Sequence, residues 1–145
     1  NSSAASDVYK RQYTHSLDNA IALSVEERVN LHLFGGKLDH HARFFFEPTM
    51  LETLRRIAFD AAFIGATAIA EDGVYFSYME DAQVKQAAAL SARQVVVVSE
   101  TEKFQIQAPY RGLELGQIDT LITDKKLAQT QKQWFPTKTD FLIGD

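Results

Sequence analysis

Hydrophobic residues along this chain gather in short runs, and four runs end abruptly at small, hydroxyl or charged residues. The runs cover residues 29–34, 61–64, 95–98 and 120–122. Each run has the length and composition of a β-strand. In an open parallel sheet the carboxyl ends of the strands lie along one edge, which is the usual place for a ligand crevice. We therefore expect the loops that follow these runs to converge on one small-ligand site.

Two strand patterns are present. Residues 61–64 and 95–98 are continuously apolar, which is typical of parallel strands covered on both faces. Val29, Leu31 and Leu33 alternate with polar residues, which predicts a strand with one buried face. The remaining extended segments are predicted at Phe44–Phe46, 119–123 and 140–143.

Helical patterns lie between the strands. Ser16 is a suitable N-cap for a helix over residues 17–23. A second helix, beginning at Pro48 and running over residues 48–58, is predicted from helically spaced apolar residues, namely Met50, Leu51, Leu54, Ile57 and Ala58. A third helix buries a face formed by Met79, Ala82, Ala87 and Leu90, and a fourth covers residues 125–134. The alternation predicts an α/β fold, with a mainly parallel sheet and helices on both faces.

Residues 1–12 differ from the rest of the chain. They are rich in Ser and Ala and lack apolar periodicity, so we interpret them as a non-native or disordered leader. The remaining residues, 13–145, have the length of a single domain.

Composition excludes several functional classes. The net charge is −4, and no cluster of Lys and Arg is interleaved with aromatic residues, so the electrostatic signature of nucleic-acid binding is missing. The chain has no cysteine, which excludes disulfides and thiolate chemistry. No apolar run approaches the roughly 20 residues of a membrane span, so we expect a cytoplasmic protein that binds no membrane.

His32, His40 and His41 lack metal-ligand spacing, and we expect neither a metal nor a cofactor.

Several short motifs together resemble one protein family. They are Thr14-His15-Ser16-Leu17, Gly35-Gly36, residues 59–66, residues 80–85, residues 99–104 and residues 118–124. Their order and spacing resemble those of the effector-sensing domain of DeoR-type bacterial transcriptional regulators. The resemblance extends over nearly all of residues 13–145.

The resemblance implies a fold similar to those of ribose-phosphate isomerase and CoA-transferase. It also implies a homo-oligomeric sensor that recognises a phosphorylated sugar or related metabolite and controls a sugar or carbohydrate operon, usually as a repressor. DNA would be bound only through a helix-turn-helix domain that is absent from this chain. The family's first strand, with its Gly/Ser/Thr-rich loop, would also lie upstream, so we expect an N-terminally truncated sensor that binds its effector weakly or not at all.

Two loops depart from the family pattern. Thr67-Ala68 stands where the family commonly has Asp-Gly, and residues 100–105 stand where it has Asp-Ser-Ser-Lys-Phe-Gly. Both changes fall in loops that the resemblance places against the ligand. They bear on the identity of the effector more than on the fold.

Ten residues are candidate effector contacts, and several of them have an alternative structural role. Thr14 and Ser16 precede a helix, where they could hold an anion, although Ser16 could instead simply cap the helix. Gly35 and Gly36 could bring backbone N–H groups to a phosphate or serve a turn that needs positive φ. The other candidates are Gly65, Ala66, Thr67, Glu80, Lys85 and Lys103.

The charged candidates have specific alternatives. Glu80 could accept hydrogen bonds from sugar hydroxyls or compensate the dipole of its helix. Lys85 could reach the ligand or pair with Asp81 four residues before it. Lys103 could bind a phosphate as a point charge or pair with neighbouring carboxylates.

Three functional hypotheses remain. The favoured one is an allosteric sensor without catalytic residues. The alternative is a sugar-phosphate isomerase in which Glu80 is the general base and Lys103 stabilises the enediolate. The third is an oligomerisation module, which no metabolite would stabilise.

Overall fold

The computed structural model describes residues 10–144, which divide into two compact units. The first unit ends at Met50 and the second begins at Leu51. The interpretation of residues 13–145 as one sensing domain stays a prediction.

The first unit contains two small sheets. Strands β1 (Lys10–Thr14) and β2 (Val29–Leu33) pair in parallel and are connected through helix α1 (Leu17–Leu23). Strands β3 (Lys37–Asp39) and β4 (Phe44–Phe46) form an antiparallel hairpin. Residues 10–12 pair with residues 29–31, so the predicted leader boundary at residue 12 is wrong for these three residues. The rest of that prediction, residues 1–9, lies outside the described residues.

The predicted start of α1 is confirmed. The Ser16 hydroxyl accepts a hydrogen bond from the Asn19 N–H at 3.1 Å, as an N-cap residue does. Asp18 in the first turn forms an ion pair with Arg43 at 2.9 Å, and the hydrogen bond from Arg43 lowers the pKa of Asp18. Arg43 has a φ of 61°, a left-handed conformation that closes the loop between β3 and β4.

Helix α2 (Thr49–Arg55) is shorter than the predicted helix over residues 48–58. Pro48 precedes the helix. At the other end, the N–H groups of Arg56 and Ile57 bond to carbonyls three residues back, which tightens the last turn before the next strand begins at Phe59. Burial is confirmed for Met50 and Leu54, two of the residues predicted to form the buried face of this helix.

The second unit alternates strands and helices. In chain order its elements are β5 (Phe59–Gly65), β6 (Ala68–Ala70), β7 (Gly73–Phe76), α3 (Met79–Leu90), β8 (Ala92–Ser99), β9 (Tyr110–Leu113), β10 (Thr120–Thr123), α4 (Gln129–Lys132) and β11 (Asp140–Ile143). Short 3₁₀ turns cover Thr101–Gln105 and Leu115–Gln117.

The main sheet of this unit is parallel, with strand order β11-β10-β8-β5. The α/β class with a mainly parallel sheet is therefore confirmed. A second sheet, with order β6-β7-β9, is antiparallel and was not predicted. Helix α4 has four residues in place of the predicted span 125–134.

The core of the second unit lies between its two sheets and helix α3. Its most deeply buried side chains come from both sheets and the adjoining segments, and they are Ile64, Ile69, Val74, Phe76, Val97, Leu113, Ile118 and Leu121. Burial of both faces is confirmed for residues 95–97 of β8. It is wrong for β5, where Phe63 is 72% exposed. Strand β5 is an edge of its sheet, and Phe63 projects from the face opposite to Ala62 and Ile64.

The predicted inner face of α3 is half correct. Ala82 and Ala87 are buried, but Met79 and Leu90 are 52% and 66% exposed. These two are the first and last residues of the helix, where fewer neighbours surround a side chain. Small residues near the middle of the helix allow close packing in their place.

Asp119 connects strands at the amino end of the parallel sheet. Its carboxylate accepts a hydrogen bond from the Val95 N–H at 2.8 Å and pairs with Lys138 at 2.9 Å. The hydrogen bond from Lys138, followed by that from Val95, lowers the pKa of Asp119. The folded state therefore favours the ionised carboxylate.

Replacing Asp119 with asparagine is expected to remove a pH-dependent part of the stability. Because the folded pKa lies below the unfolded value, this contribution is present above about pH 4 and is lost as the pH falls through the folded pKa. At pH 7 the variant should lose about 1 kcal/mol of unfolding free energy. Urea unfolding at pH 7 and pH 3 measures both values. Asp140→Asn, on an exposed neighbouring carboxylate, is the control, and an equal loss in both variants would contradict the assignment.

Candidate functional site

A crevice lies at the carboxyl ends of the parallel strands in the second unit. Its volume is about 400 Å³, which falls in the range of small-molecule sites. The residues that line it come from the ends of β5, β8, β10 and β11 and from the loops after them, and they are Gly65, Ala66, Val98, Ser99, Glu100, Lys103, Ile122, Thr123, Asp124 and Gly144.

Three of the four predicted strand ends contribute to this crevice. They are the ends of β5, β8 and β10, which are neighbours in one parallel sheet. The fourth, at Gly35 and Gly36, follows β2 in the first unit. Its part in a shared site stays a prediction.

Lys103 is the candidate cation of the crevice. It is half-buried in the 3₁₀ turn Thr101–Gln105, and its backbone N–H donates to the Glu100 carbonyl at 3.1 Å. Within residues 10–144, no carboxylate forms a salt bridge with its ammonium group, so the predicted alternative of pairing with Glu100 or Glu102 is not observed. The ammonium is left to water or to a ligand.

The residue after Lys103 anchors this turn. Phe104 is buried, and its ring lies 5.9 Å from that of Trp134 and 6.3 Å from that of Phe135, measured between centroids. Aromatic contacts at these separations are stabilising. The backbone that carries Lys103 is therefore attached to the hydrophobic core.

Polar groups surround the crevice beside Lys103. The Ser99 hydroxyl donates to the Glu100 carbonyl at 3.0 Å, and the Thr123 hydroxyl donates to the Lys125 carbonyl at 2.6 Å. Each hydroxyl oxygen keeps lone pairs that can accept a hydrogen bond. Both side chains belong to buried residues, so their positions are fixed by the strand ends.

Asp124 connects two crevice loops. Its carboxylate accepts a hydrogen bond from the Thr101 N–H at 2.7 Å. This hydrogen bond is the main reason why the pKa of Asp124 is lowered. Asp124, Ser99 and Thr123 were absent from the predicted set of contacts. The signal that could have found them is their position, since each lies at or directly after the end of a parallel strand.

Gly65 presents bare backbone to the crevice. A Cβ atom built on it would meet no heavy atom within 4 Å, so packing does not require glycine there. Ala66 lines the crevice beside it, whereas Thr67 is half-buried before β6 and is not among the lining residues.

Glu80 and Lys85 lie on α3 and do not line the crevice. The Lys85 ammonium pairs with Asp81 at 3.0 Å and lies 5.6 Å from the centroid of the Phe76 ring. The spacing of Asp81 and Lys85 predicted this ion pair as the alternative to a ligand contact. Glu80 is exposed in the first turn, where a carboxylate compensates the helix dipole. A ligand role for either residue stays a prediction.

The hydroxyl groups of Thr14 and Ser16 serve local structure in the first unit. Thr14 accepts a hydrogen bond from the Ser16 N–H at 3.1 Å, and Ser16 caps α1. Their proposed contact with an effector anion stays a prediction.

The two glycines after β2 have different surroundings. Gly36 has a φ of 130°, and a Cβ atom there would lie 2.5 Å from the Phe46 carbonyl oxygen. A Cβ atom on Gly35 would meet nothing within 4 Å. Gly36 is therefore required by the backbone, while Gly35 is free to change.

Alanine at these two positions should give opposite results. Gly36→Ala combines a strained φ with a backbone clash and should destabilise the protein by about 2–3 kcal/mol. Gly35→Ala should change stability by no more than about 0.5 kcal/mol. Thermal unfolding of the two variants measures the difference. Equal melting temperatures would show that the turn rearranges without cost.

Two further features concern the described part of the chain. Across residues 10–144, no three His, Asp or Glu side chains are grouped so that they could hold a metal ion. None of the helices described here has the length and apolar character needed to cross a membrane.

Comparison with known proteins identifies the class of domain. The family described as the DeoR C-terminal sensor domain matches residues 10–125. The HTH-type transcriptional repressor GlcR of Bacillus subtilis is 35% identical over 112 residues, which are 77% of this chain and 43% of the relative. The glycerol-3-phosphate regulon repressor of Haemophilus influenzae is 31% identical over 114 residues, which are 78% of this chain and 44% of the relative. The chain thus spans less than half the length of these relatives.

Proposed function

Because the chain belongs to the DeoR C-terminal sensor domain family, we propose that it is the effector-binding part of a transcriptional repressor. The effector is a phosphorylated sugar or a related phosphorylated metabolite, bound in the crevice at the carboxyl end of the parallel sheet. The regulated genes serve sugar or carbohydrate metabolism.

The observation that carries the proposal is the ammonium of Lys103 in this crevice, which forms no salt bridge within residues 10–144. A cation that forms no internal salt bridge can bind a phosphate group as a point charge. The oxygens of Ser99 and Thr123 and the open backbone at Gly65 provide further polar groups around the same space. One cation and several neutral polar groups suit a small phosphate ester with hydroxyls.

The charge distribution also orients the ligand. Glu100 and Asp124 line the crevice together with Lys103. Their carboxylates repel a phosphate dianion, so the phosphate lies toward Lys103. The hydroxyl-bearing end of the metabolite then extends toward the carboxylate side.

The relatives support this ligand class. One relative is named as the repressor of a glycerol-3-phosphate regulon, and glycerol 3-phosphate is itself a phosphorylated polyol. Both relatives described above are named as repressors. A sensor that shifts an equilibrium between domain arrangements needs binding without turnover.

The isomerase alternative has less support. It needs Glu80 and Lys103 around one substrate carbon, and Glu80 does not line the crevice that Lys103 lines. We therefore propose a non-enzymatic cytoplasmic homo-oligomer. DNA is bound through a separate helix-turn-helix domain of the full-length protein.

Binding experiments on the full-length native protein test the proposal. Isothermal titration with a panel of sugar phosphates and the matching unphosphorylated sugars should give saturable binding to phosphorylated members alone. The same ligand should change affinity for operator DNA, and it should gain no deuterium from heavy water. A native reading frame without a helix-turn-helix, or proton exchange into the ligand, would overturn the regulator assignment and favour the isomerase.

A further inference from the structure

The 3₁₀ turn that carries Lys103 is capped by a side chain from another strand. Its first residue, Thr101, needs an acceptor for its N–H, because the first N–H groups of a helical turn have no partner within it. The residue before the turn, Glu100, makes no side-chain capping hydrogen bond. The acceptor is Asp124, at 2.7 Å, which follows β10 and is 23 positions further along the chain.

This contact bears directly on the position of Lys103. Phe104 fixes one side of the turn through its buried ring, and the Thr101–Asp124 hydrogen bond fixes the other. Lys103 lies between these two attachments. With the second one removed, the start of the turn is held only through the chain that leads into it from the end of β8 at Ser99.

We propose that Asp124 is a positioning residue for the effector site, which holds Lys103 at the crevice by fixing the start of its turn. The inference rests on the proposed function, in which Lys103 binds the phosphate group. Asp124 does not itself contact the phosphate, since its carboxylate carries the same sign of charge.

The charge of Asp124 and its hydrogen bond act on affinity in opposite directions. The negative charge beside Lys103 weakens binding of an anion, whereas the hydrogen bond to Thr101 strengthens it by ordering the cation. Asp124→Asn removes the charge and keeps an acceptor oxygen. Asp124→Ala removes both. Glu100→Ala removes a crevice carboxylate that does not cap the turn and serves as the charge control.

The first measurement needs no ligand. Amide hydrogen exchange of the full-length protein should show faster exchange across residues 101–105 in Asp124→Ala than in the wild type. Asp124→Asn and Glu100→Ala should retain the wild-type rates in this segment. Equal exchange in all four proteins would overturn the positioning role, whatever the protein binds.

The second measurement is titration with inorganic phosphate and with the tightest-binding sugar phosphate. Asp124→Ala should bind both ligands about fivefold to tenfold more weakly than Asp124→Asn, the effect of one hydrogen bond. Asp124→Asn and Glu100→Ala should bind inorganic phosphate, which has no hydroxyl-bearing end, as tightly as the wild type or more tightly. If Asp124→Ala binds as tightly as Asp124→Asn, Asp124 acts only as a charge and the inference is wrong. If the wild type binds no phosphorylated ligand, the proposed function fails, and the exchange data alone decide the positioning role.

Discussion

Replacing Lys103 with glutamine is expected to weaken binding of the phosphorylated effector by about tenfold to a hundredfold. A hydrogen bond to a charged group contributes about 1.5–3 kcal/mol, and glutamine keeps a polar side chain, one bond shorter, without the charge. Within residues 10–144 Lys103 is in no salt bridge, so the variant should unfold at the wild-type temperature. Isothermal titration and thermal unfolding of the full-length native protein measure the two quantities.

Lys126 provides the matched control. It is exposed and does not line the crevice, so Lys126→Gln should bind the effector with wild-type affinity. The salt dependence gives a second criterion. If Lys103 binds the phosphate, the affinity of Lys103→Gln should fall less steeply with ionic strength than that of the wild type. Equal affinities of the two variants would show that Lys103 does not hold the phosphate.

The parallel sheet could be predicted because its strands carry a local signal. Residues 95–97 are buried on both faces, and a continuous run of Val follows directly from that requirement. Helix α3 was recognisable from its apolar spacing and its acidic first turn. Both patterns reflect which side chains of the element are buried. Neither depends on which distant residues make the contacts.

The antiparallel sheet lacks such a signal. Its strands β6, β7 and β9 have three or four residues each, which is too short to show a period of two. One of the two pairings also joins strands that are distant in sequence, since β7 pairs with β9 across the whole of α3 and β8. The pairing is determined by tertiary packing, as with Gly112 of β9, where a Cβ atom would lie 2.5 Å from the Phe76 ring.

The site shows a similar division. The rule that parallel strands end at a common edge located the crevice and Lys103 within it. It could not separate Asp124 from other exposed carboxylates, because the partner of Asp124 is a backbone N–H 23 positions away. Glu80 and Lys85 stay predictions, because the sequence pattern that suggested a ligand role for Lys85 also fits its ion pair with Asp81.

Exposure also separates two phenylalanines that look alike in the sequence. Phe63 belongs to an apolar run and was expected to be buried, yet it projects from an edge strand. Phe76 ends the short strand β7 and was not predicted as a core residue, yet it is 1% exposed. Its ring packs against the backbone of Gly112 and lies near the Lys85 ammonium. Removing the two rings should therefore have very different costs.

Phe76→Ala is expected to lower the free energy of unfolding by about 3–5 kcal/mol, because it leaves a cavity between the antiparallel sheet and α3 that the rigid Gly112 backbone cannot fill. Phe63→Ala removes the same ring from a largely exposed position and should cost no more than about 0.5 kcal/mol. The one tryptophan of the chain, Trp134, packs against the core of the second unit, so its fluorescence during urea unfolding reports on this unit. A large decrease in the free energy of unfolding of Phe63→Ala would show that this face of the parallel sheet is covered in the native protein. A small decrease for Phe76→Ala would contradict the burial of its ring in the core.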